Sequence, residues 1–309
     1  MVKVNIAKLY HIIDINDITK FSPYSITTAV TTPNNYVKKL YVSLFDDNLL
    51  SISYLLNLEQ RTRSLDMIIQ TIKYNYSDLM QLILAYRDYG EEYSYNKIDL
   101  PKPKQRGDDI FKVIAKRRSN RTFIKGEMEL DDLSTILYFS QGITTKVKLD
   151  LQGIMNENLF QKFRATPSGG ALYPIDLYVI SLNIRGLEKG IYKYQPYSHS
   201  LVYINNFNLD NLYKLSDFNY VNGVENVNVI ILLASKILRS FYKYGELSLK
   251  LGLIEIGEIA YAIHLVSQAL GYSSLDYAGF NKHNAEEIIN IDGIFSHAVH
   301  MILVGLGGR

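Results

Sequence analysis

Three stretches of this 309-residue sequence carry side chains able to do chemistry. The run Arg117-Arg118-Ser119-Asn120-Arg121 brings three guanidinium groups and a hydroxyl within a turn or two of chain, and guanidinium forks match phosphate oxygens two at a time. A solvated helix end, where cations meet the C-terminal dipole, is the other reading of that cluster. In Arg164-Ala-Thr-Pro-Ser-Gly-Gly-Ala-Leu-Tyr-Pro174, two glycines sit between two prolines. They let backbone approach a flat ligand closely and point main-chain groups at it, whereas a plain tight turn needs only one of them. Lys243-Tyr244-Gly245 sets an amine beside a phenol. Such a pair can share proton transfer, or it can be ordinary surface.

Weaker signals are the turn Tyr277-Ala-Gly-Phe280 and the terminal Val304-Gly-Leu-Gly-Gly-Arg309. Several chemistries are excluded. The chain has no cysteine, so disulfides, thiolate nucleophiles, iron–sulfur clusters and cysteine zinc sites all fall away. His264, His283, His297 and His300 share no spacing with a carboxylate that marks a metal site, and no metal is expected. Neither a strand-to-helix Gly-x-Gly-x-x-Gly nor a lysine phosphate loop occurs.

The elements that must position these residues fall into two regions. The stretch Pro101-Lys-Pro-Lys-Gln-Arg-Gly107 reads as a linker. Before it, Leu65, Ile68, Ile69, Ile72, Leu79, Leu82, Ile83 and Tyr86 recur at helical spacing, predicting a mainly helical region over 1–105 that packs or docks. After it, over 106–309, an Asp108-Asp109 helix start leads into the basic cluster. Short strands are predicted at 177–182, 190–194, 201–204, 227–233 and 299–304. Residues 249–270 carry few charges beyond Lys250, Glu255 and Glu258, which predicts a central helix buried on most sides. Strands mixed with helices without regular alternation argue for an α+β fold.

Lys and Arg number 33 against 31 Asp and Glu, so net charge gives no reason to expect nucleic acid or an anionic membrane as partner. Residues 1–16 lack the apolar core of a secretory signal. The longest apolar runs fall far short of the roughly 20 residues that span a bilayer, and a cytoplasmic location is expected.

Taken in order, Arg-Arg-Ser-x-Arg at 117–121, Arg-x-x-Pro-Ser-Gly-Gly-Ala-Leu-Tyr-Pro at 164–174, Gly-Ile-Tyr-Lys-Tyr at 190–194 and Lys-Tyr-Gly at 243–245 resemble the SagB-type branch of the nitroreductase superfamily. A Leu-x-x-x-Glu-x-Gly pattern at 251–257, the Ala-Gly-Phe turn at 278–280 and a final strand into Val-Gly extend the match over roughly residues 107–309. The resemblance implies a nitroreductase-like mixed sheet flanked by helices, and a homodimer with FMN at each subunit interface. Arg117, Ser119 and Arg121 would hold the FMN phosphate and ribityl chain, with Arg309 completing the phosphate site. Pro167, Ser168 and Gly169 would lie against the isoalloxazine, and the backbone of Ala278 and Gly279 would approach its N5 edge. In azoline dehydrogenases of this type the Lys-Tyr pair is implicated in catalysis, which here means Lys243 and Tyr244. The implied reaction oxidises thiazoline or oxazoline rings in a ribosomally made peptide that carries a leader, beside a partner cyclodehydratase. Two other functions stand beside it: an NAD(P)H-dependent nitro or quinone reductase, and a flavin-less scaffold subunit of a biosynthetic complex.

Overall fold

The computed structural model describes residue 69 and residues 97–308, apart from 106–108, 149–159 and 246. The chain divides into two compact units, Met1–Leu65 and Asp66–Arg309, and every described residue belongs to the second. The helical reading of the N-terminal region, and Arg309, lie outside the described residues save for the single helical residue Ile69.

Seven strands form the main sheet in the order β1-β8-β7-β5-β9-β11-β10, with β1 Lys97–Asp99, β5 Ile175–Ser181, β7 Gly190–Gln195, β8 Ser200–Asn205, β9 Val229–Ser235, β10 Ser273–Tyr277 and β11 His297–Gly305. All neighbours in it are antiparallel. Parallel pairing appears in the short ribbon of β2 Met128–Glu129 with β6 Ile184–Arg185, and β3 Ile143–Lys148 pairs with β4 Phe160–Arg164 in an antiparallel ribbon. The architecture is the expected α+β arrangement.

The central strands are apolar on both faces because both faces are covered. Ile175, Leu177 and Val179 of β5, Val229, Ile231 and Leu233 of β9, and Ile302 and Val304 of β11 point to one core. The alternate residues Tyr178, Ile180, Ile230, Leu232, Met301 and Leu303 point to the other. This strict period of two is what a pleated strand imposes. The first core is closed by helices α2 (Leu130–Gln141) and α5 (Leu247–Leu270) through Leu133, Ile136, Leu137, Ile256, Ile259 and Ile263. The second is closed by α3 (Leu209–Leu215) and α6 (Lys282–Ile288), with Leu212, Leu215, Ala285 and Ile288. Two further helices, α1 (Ile110–Lys116) and α4 (Leu238–Tyr244), complete the described set.

Helix ends follow their capping residues. Asp109 accepts from Phe111 N–H at the start of α1, and Asn208 and Asn211 form a reciprocal capping box on α3, each satisfying N–H groups that have no partner in the first turn. Helix α4 stops at Gly245, whose φ of +53° suits glycine.

Two expectations are revised. The stretch expected as a linker is, over the residues described, fixed to the domain. Strand β1 joins the sheet edge, the Pro101 carbonyl accepts from Ser134 Oγ, and Lys104 reaches Asp132 at 2.8 Å. Helix α5 is also less enclosed than its lack of charge implied. Ile256, Ile259 and Ile263 are buried, but Leu249, Leu253, Ile254 and Tyr261 are exposed. Scarcity of charge reports an apolar environment without saying which chain supplies it. Among the described residues no helix is long and apolar enough to cross a membrane.

Candidate functional site

The Lys-Tyr pair and the double-glycine loop meet. Strand β4 ends at Arg164, the chain turns through Pro167 and Ser168 into a single 3-10 turn at Gly169–Ala171, and β5 begins at Ile175. Gly170 has φ +64°. A Cβ built there would lie 2.6 Å from Tyr244 Oη and 2.9 Å from Lys243 Nζ. Glycine suits this position by its left-handed conformation, and the ends of two side chains from α4 lie close against its bare face. One residue earlier, a Cβ on Gly169 would come within 3.0 Å of Leu251 Cδ1 on α5. Lys243 and Tyr244 occupy the last turn of α4 and are both half-buried rather than plain surface. Pro167 is exposed, while Ser168 and Gly169 are half-buried.

A buried charge cluster holds α4 in place. Asp176 on β5 is contacted by Lys236 at 2.8 Å, Arg239 at 2.8 Å and Lys193 at 3.7 Å. Burial disfavours its charge, but Arg239, Lys193 and Lys236 together outweigh burial and hold the carboxyl well below the ordinary carboxylate range. Arg239, one turn before Lys243, also donates to the Tyr173 carbonyl at 3.1 Å. One guanidinium therefore ties α4, the end of the glycine loop and the sheet together. Arg164 closes the loop from the other end: its guanidinium donates to Gln141 Oε1 at 2.7 Å and stacks over the Tyr173 ring at 4.6 Å, while its backbone N–H donates to Tyr173 Oη.

The basic cluster sits at a different place in the sheet. The helix expected to carry it ends at Lys116, and Arg117 is its C-cap. Arg118 alone uses the helix end, donating to the carbonyls of Ala115 and Arg117. From Ser119 the chain runs alongside the sheet edge. Ser119 bridges Ser274 of β10, Asn120 donates to the Gly308 carbonyl at 3.3 Å, and Phe123 bridges Gly307. Arg117 already leaves the helical backbone, and beyond it the Asn120 side chain accepts from Thr122 N–H, a local turn of the kind that competes with helix. Gly307 has no room for a Cβ, which would overlap Ser273 and Asn120. The C-terminal strand thus brings its glycines to the basic segment. Arg117 is half-buried, and Ser119 and Arg121 are exposed.

Ala278 and Gly279 follow strand β10 and are exposed. The Gly279 carbonyl accepts from Ser216 Oγ. Strand β10 is the physical link between the two ends: its Ser274 adjoins Ser119, and its last residue, Tyr277, leads into Ala278.

Sequence reasoning missed three groups. Glu255, named only as one of a few charges on the central helix and within its pattern, is buried under the glycine loop, where Ser168 Oγ donates to its Oε2 at 2.5 Å. Its sign was a carboxylate in an otherwise apolar helix. Asp176, the partner of Arg239, gave the same kind of sign, an acid in an apolar strand. His264 and His300 both reach Asp276, at 2.8 and 2.7 Å, so the two histidines do share a carboxylate. They hold it below its ordinary range although burial opposes this. Among the described residues, no three or more of His, Cys, Asp and Glu are arranged to hold a metal ion.

Comparison with known proteins bears on the fold that carries these residues. The description "Nitroreductase family" matches residues 114–307, more than half of the chain. A putative nitroreductase of Methanocaldococcus jannaschii is 28% identical over 179 residues, covering 58% of this chain and 83% of that protein. The microcin B17-processing protein McbC of Escherichia coli is 25% identical over 133 residues, or 42% of this chain, and the match spans 49% of McbC. Among solved structures, a chain of the Escherichia coli microcin synthetase McbBCD complex superposes with a TM-score of 0.51 at 15% identity, covering 85% of this chain and all of that one. That likeness concerns the fold. With the family match over strands, helices and motifs alike, the chain belongs to the nitroreductase family.

Proposed function

We propose that this oxidoreductase of the nitroreductase family is an FMN-dependent dehydrogenase that converts thiazoline or oxazoline rings to thiazoles or oxazoles in a ribosomally made peptide. The observation that carries the reading is the convergence of Lys243 Nζ and Tyr244 Oη on Gly170. It puts a proton-transferring pair over the loop best suited to a flat ring. Similarity to McbC, whose name describes the processing of microcin B17, supports a peptide substrate. A leader on that peptide and a cyclodehydratase partner belong to the same reading.

The residues present fit FMN. Gly169 and Gly170 are half-buried and carry no side chain, with Leu251, Lys243 and Tyr244 set close against them, and bare glycine backbone lets an aromatic face approach closely. Arg117, Ser119 and Arg121 offer guanidinium and hydroxyl donors of the kind that hold phosphate, beside the glycines at 307 and 308, with Arg309 placed next in sequence to join them. Pro167 and Ser168 would flank the ring, and Ala278 and Gly279 would present backbone to its edge. When bound, FMN supplies a two-electron acceptor. Aromatising an azoline removes one hydride and one proton, and Lys243 and Tyr244 are the groups positioned to take the proton. The exposed apolar stripe of α5, Leu249, Leu253, Ile254 and Tyr261, suits a homodimer that shares its flavin sites. Cytoplasmic location belongs to the same proposal.

Purified protein with a bound-flavin visible spectrum, turning over a thiazoline peptide in air, is the expected result. Activity confined to NADPH with a nitroaromatic would move the function to the reductase reading, and a colourless protein that takes up no added FMN would overturn both. Arg121→Ala is expected to weaken FMN binding. Hydrogen bonds to charged groups contribute about 1.5–3 kcal/mol, which corresponds to roughly 10- to 150-fold in Kd. Titration of flavin fluorescence measures it, and an unchanged Kd would remove Arg121 from the phosphate site.

A further inference from the structure

One buried ionisable group has no part in the chemistry above. Glu255 is 2% exposed and comes from α5, a different element from either the glycine loop or α4. It meets the loop at one point, where Ser168 Oγ donates to Oε2 at 2.5 Å. The same Ser168 oxygen accepts from Tyr173 N–H at 3.0 Å, so a single hydroxyl spans the loop and fastens it to the helix. One turn earlier on α5, Leu251 supports Gly169. The other carboxyl oxygen, Oε1, is buried without a hydrogen-bond partner among the described residues. A charged oxygen in that position is costly, and a protonated carboxyl is far less so.

The charges facing it come from four elements. Arg164 at the end of β4 and Arg239 on α4 favour the anion, Glu258 on α5 opposes it, and the Tyr173 phenol lies within the same field. Burial outweighs the two arginines and the Ser168 hydrogen bond, pushing the carboxyl up to about 7. Docking the loop is what seals the carboxyl from water. Proton binding and loop docking therefore favour one another, by the same linkage that relates protonation to folding.

We propose that Glu255 is a positioning residue that, while it carries its proton, holds Ser168 and with it Gly169 and Gly170 in register beneath Lys243 and Tyr244. Loss of the proton loosens that loop. The inference rests on reading the loop as part of the flavin site, and it makes assembly of that site dependent on pH.

The test is hydrogen–deuterium exchange of the 165–174 segment from pH 4.5 to 8.5, normalised for intrinsic exchange, with FMN affinity measured alongside. Wild-type protein is expected to lose loop protection and FMN affinity as pH rises from the ordinary carboxylate range to about 7, at up to about tenfold per pH unit, the limit for one proton, and to level off above that point. Glu255→Gln keeps the shape and cannot ionise, so its loop protection and affinity should stay at the wild-type acid-side values throughout. Ser168→Ala should show weak protection at every pH, and it serves as the deciding variant if Glu255→Gln does not fold. A pH-independent wild-type loop, or an unaltered wild-type profile in either variant, would overturn the proposal. Absence of FMN binding in all proteins would refute the flavin reading instead, and loop exchange would still decide the role of Glu255.

Discussion

Replacing Lys243 by alanine, or Tyr244 by phenylalanine, is expected to lower turnover of an azoline peptide by about 10²–10⁴-fold, the usual contribution of a positioned proton-transfer group, with FMN still bound. Both side chains end within 3 Å of the place a Cβ would occupy on Gly170, and both come from the last turn of one short helix. Flavin retention is expected because the residues proposed to hold the phosphate, Arg117, Ser119 and Arg121, belong to the segment along β10 and the C-terminal strand. Steady-state kinetics with a flavin spectrum of each variant gives the answer. The loss should fall on kcat more than on KM, since the interaction is realised in the transition state. Full activity in both variants with normal flavin content would rule out the proton-transfer role.

The parts of this site that could be read in the sequence are those whose physics is local. The apolar runs that became β5, β7, β8, β9 and β11 announced themselves because a strand covered on both faces needs apolar residues at every position. The predicted start at Val227 came two residues early, since Val224–Asn226 forms a 3-10 turn and Asn228 turns its side chain to the carbonyls of Gly126 and Asn183. The double glycine was legible because few other sequences permit that backbone. What is non-local was not legible. That Lys243 and Tyr244 reach Gly170 depends on Arg239 and Asp176, which are 63 positions apart, and no window of sequence contains both. Glu255 passed as one of a few charges on a helix, although its place under Ser168 makes it part of the site. The basic cluster was given to a helix because its charges suit a helix end; the Asn120 turn and the Ser274 bridge decided otherwise.

Asp176→Ala is expected to be the most damaging substitution outside the reacting groups. Three cations converge on that carboxylate, and the side chains of Asp176, Lys193 and Arg239 are 9%, 4% and 14% exposed. Removing one partner of a buried pair costs about 3–5 kcal/mol, because the remaining charge is left without compensation. With about 2–4 °C of melting temperature per kcal/mol in a domain of this size, thermal denaturation at neutral pH should show a fall of roughly 10 °C. The sign with pH follows from the direction of the shift. The folded carboxyl ionises well below the unfolded one, so its contribution is complete above the ordinary aspartate range and disappears as pH falls through the folded value. Wild-type and variant melting temperatures should therefore converge in strong acid and separate as pH rises. The damage should also reach catalysis in molecules that remain folded, since Arg239 holds both Asp176 and the Tyr173 carbonyl. Without the carboxylate, that guanidinium keeps only one of its anchors between α4 and the loop, and Lys243 and Tyr244 lose their register over Gly170. A variant that melts like wild type would show that the three cations are screened by solvent. One that is destabilised yet retains full kcat below its melting range would show that α4 is positioned without the clamp.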